Sequence, residues 1–167
     1  VSDGINSVST NFVLTVIPPP TGAARFYNSA AITIPTAGAA TPYPSVINVT
    51  GRSGTITKMT LTLSKFSHNR VQDVNMLLVG PTTDMMIFSH ISGGNRSATN
   101  VTVHLTDDSG YPLPVNFGLW SEPLWPTAYP PVVPFPAPAP IARRYGTNHF
   151  ASTFNGTTAN GTWSLYV

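Results

Sequence analysis

Prolines and glycines interrupt this chain so often that few windows are long enough for a helix. There are 17 prolines and 13 glycines among 167 residues, and they are spread throughout. Between them, apolar side chains recur at every second position, which is the period of a half-buried β-strand. The clearest alternation runs from Thr55 to Leu63 (TITKMTLTL), and Phe12 to Ile17 (FVLTVI) has the same period. Many short strands separated by turns predict an all-β sandwich or barrel.

Turn signals help to place the other strands. Gly80-Pro81 ends one apolar run, and the DDSG stretch from Asp107 to Gly110 ends another. Further strands are predicted at residues 31–34, 46–49, 73–79, 85–90, 101–105 and 162–167. All are short, as strands of globular domains usually are.

Two proline-rich segments are unsuited to central strands, because proline has no backbone N–H to donate to a ladder. Residues 111–145 contain the strict alternation PFPAPAP at 134–140, and they predict a long Pro-rich loop of polyproline II character across the fold. An exposed recognition segment for an aromatic groove is the alternative. Pro18-Pro19-Pro20 predicts a stiff spacer within a linker at 18–26, which separates an N-terminal strand segment at 1–17 from the body at 27–167.

The small fraction of charged residues indicates which class of protein this chain belongs to. Only 8% of the residues are charged, against about 25% in an average globular domain, and this predicts a secreted or cell-surface β-domain. The absence of cysteine excludes disulfides, zinc–thiolate sites and thiol catalysis. A net charge of +2 without a basic cluster indicates no nucleic-acid partner, and no apolar stretch reaches the roughly 18 residues of a membrane span. With no initiator Met and no signal peptide, we expect a processed product or an excerpt of a longer chain.

Five motifs follow one another through the body of the chain. They are Ser67-His68, Asp73-Val74-Asn75-Met76-Leu77, Gly80-Pro81, Phe154-Asn155-Gly156 and Gly161-Thr162-Trp163-Ser164-Leu165. In this order they resemble the P-domain of proprotein convertases and its bacterial relatives, over residues 27–167. The resemblance implies a jelly-roll-like β-sandwich of the galactose-binding type. It also implies an accessory role beside a catalytic partner, with no catalytic residue in the domain itself.

A P-domain continues beyond its Trp strand with a polar turn and one more strand that closes the sheet, whereas this sequence ends at Val167. Residues 1–17 have the form of that ending, a polar turn followed by the alternating residues Phe12, Val13, Leu14, Thr15 and Val16. We therefore expect the last and first strands to be halves of one interrupted hairpin, with the N-terminal segment supplying the closing strand. A sandwich without it exposes unpaired backbone groups and an apolar groove.

Three arrangements fill that gap. The N-terminal segment folds back onto its own body, inserts into a neighbouring subunit as a donor strand, or belongs to the next repeat of a covalent tandem array. The last two produce a head-to-tail array of copies of this chain, and they are favoured. The predicted function is a non-catalytic structural subunit or tandem repeat of an extracellular filament or adhesive surface protein, joined through residues 12–16. The alternatives are an accessory P-like domain of a secreted protease or other hydrolase, and a carbohydrate-binding module.

The ionisable residues form no catalytic motif. His68, His90, His104 and His149 lack the spacing of a metal site, and a structural or surface role is predicted for each. Calcium is the one cofactor considered, because it takes oxygen ligands. Its weak candidate ligands are Asp73, Asp107 and Asp108.

The sequence contains candidate sites for attached sugars and for a bound sugar. Five Asn-x-Ser/Thr sequons are candidate glycosylation sites if the source organism glycosylates: Asn48, Asn95, Asn100, Asn155 and Asn160. Four aromatic residues are predicted to pack the long loop onto the sandwich, with stacking on a bound sugar as the alternative: Trp120, Trp125, Tyr129 and Phe135.

Overall fold

The computed structural model describes residues 9–17, 23–131, 133–142, 146–147 and 149–167. It confirms an all-β fold, in which two sheets pack face to face as a sandwich. The strands are β1 (Ser9–Ile17), β2 (Ala24–Thr33), β3 (Ser45–Val49), β4 (Lys58–His68), β5 (Met76–Val79), β6 (Asp84–Ser89), β7 (Ala98–Thr106), β8 (Pro123–Leu124), β9 (Thr127–Ala128), β10 (Gly146–Thr147) and β11 (Gly161–Tyr166). A 3₁₀ helix (Val71–Asp73) and a short α-helix, α1 (Phe150–Phe154), complete the described elements.

The five-stranded sheet, sheet A, has the order β2-β1-β4-β7-β8, and the six-stranded sheet B has the order β10-β9-β6-β5-β11-β3. The β7–β8 and β6–β9 pairs are parallel, whereas the other strand pairs are antiparallel. The inward faces of both sheets share one core, in which Leu61, Phe66, Phe88 and Trp163 are fully buried. None of the helices in the described part of the chain is long and apolar enough to cross a membrane.

Strand β1 lies inside sheet A, with a partner on each side. Leu14 is opposite Phe26 of β2 and opposite Leu61 of β4. Leu14 and Val16 are fully buried, while Thr15 between them is half-buried on the other face, as the period of two predicts. The N-terminal segment therefore completes a sandwich, and in the structure of one chain that sandwich is its own.

The predicted hairpin between the last and the first strand is wrong. Strand β11 lies in sheet B between β5 and β3, whereas β1 lies in sheet A between β2 and β4. Alternation of apolar residues defines the two faces of a strand, but it does not define the neighbouring strand. The hairpin prediction rests on how a P-domain continues after its Trp strand and on the turn-and-strand form of residues 1–17, and neither determines which strands are neighbours.

The predicted linker at residues 18–26 is too long. Strand β2 begins at Ala24, and the ring of Phe26 packs against the core, so the last three residues of that range are part of the sheet. The predicted spacer Pro18-Pro19-Pro20 and residues 1–8 of the N-terminal segment lie outside the described residues.

The long Pro-rich loop crosses from one sheet to the other. Strand β8 extends the edge of sheet A beside β7, and three residues later β9 lies between β6 and β10 in sheet B. Pro123 is accommodated because it lies on an edge strand, where a missing N–H breaks no ladder. The loop therefore contributes a strand to each sheet and connects the two.

The PFPAPAP segment does not form a continuous polyproline II helix. The Ala139 N–H donates to the carbonyl oxygen of Pro136 at 3.1 Å, which closes a turn. Phe135 packs against a small second cluster that includes Tyr43, and the Tyr43 hydroxyl donates to the same Pro136 carbonyl at 2.9 Å. These contacts hold the segment against its own sandwich, so the predicted extended conformation is wrong for residues 136–139.

The Gly80-Pro81 turn packs beneath the central tryptophan. A Cβ on Gly80 would lie 2.9 Å from the ring of Trp163, so only glycine fits there. The Trp163 indole N–H donates to the Ala159 carbonyl at 2.9 Å, and its ring lies 5.1 Å from that of Phe154. Three of the five sequence motifs thus meet in one part of the core.

Candidate functional site

A groove lined by exposed aromatic residues lies at the β8 edge of sheet A. It is called the aromatic groove here, and its walls include Asp108, Ser109, Tyr111, Trp120, Glu122 and Pro123. Tyr111 is 71% exposed and Trp120 is 38% exposed. Large aromatic side chains are usually buried, so two of them in one open groove indicate a binding surface.

Hydrogen bonds of the Ser109 hydroxyl and of the Tyr111 backbone hold one wall of the groove. The Tyr111 N–H donates to the Ser109 hydroxyl at 3.0 Å, and that hydroxyl donates to the Pro123 carbonyl at 2.6 Å. The Trp125 N–H donates to the Tyr111 carbonyl at 2.8 Å. Tyr111 is therefore exposed by its side chain but anchored by its backbone.

The residues beside Trp120 anchor the other wall. Leu119 is buried in the main core, and the Ser121 hydroxyl accepts a hydrogen bond from the Thr102 N–H of β7 at 3.0 Å. Leu124, after the groove residues Glu122 and Pro123, is fully buried. The groove residues between Leu119 and Leu124 are thus flanked by a buried leucine on each side.

The two carboxylates of the groove differ in their surroundings. Asp108 forms an exposed ion pair with Lys58 of β4. Glu122 is exposed and has no ion-pair or hydrogen-bond partner among the described residues. The rim of the groove therefore presents a free hydrogen-bond acceptor beside two aromatic rings.

A second concavity, an apolar cleft of about 280 Å³, lies between residues 34–39 and the long loop. His68 and Asn75 are among its polar lining residues. His68 Nδ1 lies 2.9 Å from the Arg70 carbonyl oxygen, and Asn75 Oδ1 accepts from the Ser89 hydroxyl at 2.6 Å. These polar atoms already have hydrogen-bond partners in the protein. The cleft therefore presents fewer polar groups that could hydrogen-bond a ligand than the groove does.

The structure does not gather the calcium candidates into one site. Asp107 accepts from the N–H groups of Phe150 and Ala151, at 2.8 and 2.7 Å, and so caps the start of α1. Asp108 pairs with Lys58. Asp73 lies 3.2 Å from the Arg70 guanidinium. No group of three His, Cys, Asp or Glu residues that would hold a metal ion occurs within the described ranges.

The histidines contact neighbouring protein groups. His104 Nδ1 lies 2.9 Å from the Thr62 hydroxyl, and burial lowers the pKa of this imidazole below its ordinary value. His90 Nδ1 lies 2.8 Å from the Ser89 hydroxyl. The His149 ring packs edge-on against Trp125, with ring centres 5.2 Å apart.

The five sequon asparagines are all exposed: Asn48, Asn95, Asn100, Asn155 and Asn160. Asn160 is the most engaged of them, because its side chain accepts from the Arg52 N–H at 2.9 Å and donates to the Arg52 carbonyl at 2.6 Å. Asn48 accepts from the Thr162 hydroxyl at 3.0 Å.

The four aromatic residues predicted to pack the long loop have different environments. Tyr129 packs against the main core and Phe135 against the small cluster, as predicted. Trp120 instead lines the open groove. Tyr111 was missed by the sequence reasoning, although an isolated aromatic residue directly after the DDSG turn was a signal for it.

Comparisons with family models, with curated proteins and with solved structures found no match for this chain.

Proposed function

We propose that this chain is a non-catalytic structural module of an extracellular filament or adhesive surface protein, and that copies of it associate by exchanging β1. The observation that supports this proposal is the position of β1. It is the first described strand, yet it is an interior strand of its sheet. Residues 18–23 connect it to β2, which is one of its two neighbours in that sheet.

The slot between β2 and β4 that β1 occupies fits any strand with the β1 sequence, whether that strand belongs to the same chain or to another copy. It consists of the facing edges of β2 and β4 and of the core pockets for Leu14 and Val16. The β1 strand of another copy would make the same hydrogen bonds and bury the same side chains, as in donor-strand complementation. Exchange of this kind propagates head to tail when the donated strand belongs to the next copy.

Two features of the sequence favour exchange outside the cell. The connection between β1 and β2 contains Pro18-Pro19-Pro20, and consecutive prolines favour a stiff, extended chain, which is the form that the connection takes when β1 is donated to another copy. The low charge of 8% is the composition expected of an extracellular β-domain.

A pair of engineered cysteines distinguishes exchange from folding back. Thr15 of β1 is opposite Thr60 of β4, both are half-buried, and the chain has no other cysteine. We expect Thr15→Cys/Thr60→Cys to oxidise into dimers and a ladder of higher species on non-reducing gels, increasingly so when the protein is refolded at high concentration. A cross-link confined to monomers at every concentration would exclude exchange of β1.

The matched control places the two cysteines on strands that remain in one chain during exchange of β1. Thr62 of β4 is opposite His104 of β7. Thr62→Cys/His104→Cys should therefore cross-link within the monomer under the conditions that give the ladder. A ladder from this control as well would indicate nonspecific oxidation between molecules.

A further inference from the structure

The chemistry of the aromatic groove is independent of β1. Tyr111 and Trp120 are exposed on anchored backbone, and Glu122 between Trp120 and Pro123 has no partner among the described residues. The groove thus combines apolar ring faces with a carboxylate that can only accept hydrogen bonds. We propose that the aromatic groove binds a neutral saccharide.

A sugar ring can contact both the aromatic ring faces and the carboxylate of the groove. One face of a pyranose presents C–H groups, which pack on aromatic rings, and its edge presents hydroxyl groups, which donate hydrogen bonds to a carboxylate. Hydrogen bonds to an ionised acceptor are stronger than those between neutral groups, so Glu122 orients the sugar while Tyr111 and Trp120 supply contact area.

The Glu122 carboxylate on the rim also favours a neutral saccharide over other ligands. A proline-rich peptide is the other common ligand of aromatic grooves, but its prolines have carbonyl acceptors and no N–H donors, which makes Glu122 a poor neighbour for it. An anionic sugar would place like charges together. The groove is therefore expected to prefer neutral oligosaccharides.

The anchoring of the groove favours binding without reorganisation. The Ser109 hydroxyl links the Tyr111 and Pro123 backbones, and the Ser121 hydroxyl links the residue after Trp120 to β7. Walls that are already ordered lose little conformational entropy when a ligand binds. Affinity then comes from contacts made by side chains that the fold exposes.

Calorimetric titration of the full chain tests the proposal. The probes are cellohexaose, maltohexaose and galactohexaose as neutral sugars, hexagalacturonate as an anionic sugar, and the synthetic peptide PFPAPAP. We expect at least one neutral sugar to bind, and more tightly than hexagalacturonate or the peptide. Trp120→Ala and Tyr111→Ala should each weaken that binding about tenfold, and Glu122→Gln should weaken it several-fold while keeping the shape of the side chain.

Tyr27→Ala is the matched control. Tyr27 is 69% exposed on β2, at the opposite edge of sheet A from the groove, so its removal should leave sugar binding unchanged. The proposal is overturned if none of the neutral sugars binds, if Tyr27→Ala weakens binding as much as Trp120→Ala does, or if hexagalacturonate binds best. Trp120-dependent binding of the peptide without the sugars would assign the groove to proline-rich partners instead.

Discussion

Strand β1 and the long loop are held to the sandwich by different interactions. The strand has ladders on both sides and fully buries Leu14 and Val16. The loop and its base bury separate leucines, Leu113, Leu119 and Leu124, and add single hydrogen bonds between side chains and backbone, such as those of Ser109, Ser121 and Tyr129. The contacts of β1 are thus one continuous strand between two ladders, whereas those of the loop are separate buried side chains and single hydrogen bonds.

The different contacts of β1 and of the long loop suit different functions. A strand that depends on a repeated ladder and two apolar pockets can be supplied by an identical copy, because the pockets require only that sequence. A loop that depends on individually placed hydrogen bonds holds exposed side chains in fixed positions, as a recognition surface requires. The two regions therefore suit the two proposals made above, assembly for β1 and ligand binding for the loop.

The largest expected effect is at β1. Leu14→Ala should lower the free energy of unfolding by about 2–5 kcal/mol, because it leaves a cavity in the shared core. Denaturant titration of tryptophan fluorescence measures this. Thr15→Ala, on the outer face of the same strand, should cost less than about 1 kcal/mol. Equal losses in the two variants would mean that β1 is not packed as described.

A smaller effect is expected at the base of the loop. Asp107→Ala should destabilise the fold by about 1–2 kcal/mol, because two backbone N–H groups at the start of α1 lose their acceptor. Asp108→Ala removes only an exposed ion pair with Lys58 and should cost about 0–1 kcal/mol. Thermal unfolding of the two neighbouring variants compares them directly, and a larger loss for Asp108→Ala would contradict the assigned cap.

Within the loop itself, Tyr129→Phe should cost about 1 kcal/mol. The Tyr129 hydroxyl donates to the Leu113 carbonyl at 2.9 Å, in a partly buried position. Tyr43→Phe removes an exposed hydrogen bond to the Pro136 carbonyl and should cost less. Denaturant midpoints of the two variants test the ranking, and the reverse order would show that the Pro136 contact is the stronger anchor.

The smallest effect is a pH dependence where the loop joins sheet A. His104 of β7 is opposite Pro123 of β8, and burial lowers the pKa of His104. The unfolded chain, with a histidine pKa near 6.5, then binds a proton more readily than the folded chain does. The free energy of unfolding should therefore decrease as the pH falls below about 6.5, and be fully retained above it.

His104→Asn isolates this contribution. Asparagine keeps a polar group near the Thr62 hydroxyl but does not titrate. The decrease in unfolding free energy between about pH 7.5 and 5.5 should be smaller in His104→Asn than in the parent chain. An unchanged pH dependence would assign the decrease to other groups.

The sequence predicted the regular part of the fold well. Alternation located β1, β3 and β7 to within a few residues, because the apolar side chains that are most deeply buried in each strand lie on one face. Strand β4 runs five residues beyond its predicted end at Leu63, since an irregularity in its pairing with β7, where Lys65 has a φ of 59°, lets pairing resume at Phe66. A bulge of this kind interrupts the period of two, so the pattern hides the continuation.

The missed elements depend on distant partners. Strands β8 and β9 have two residues each, too few for any period. Helix α1 has five residues, and the acceptor for its first N–H groups is Asp107, more than forty positions away. At the groove, the sequence predicts that Trp120 packs the loop onto the sandwich, whereas the structure exposes it. What exposes it is the burial of Leu119 and Leu124, which local sequence does not reveal.

The interior position of β1 also affects the order of events during synthesis. Strand β1 leaves the ribosome before both of its neighbours, and β4 begins 25 residues after β2 ends, at Lys58 after Thr33. At about 5–20 residues per second, the β1–β2 pair therefore waits about 1–5 seconds with one ladder open and Leu14 uncovered. During that interval the unpaired edge of β1 can pair with other nascent chains on the same polysome. The translation speed over residues 18–64 should therefore influence the yield of correctly folded protein.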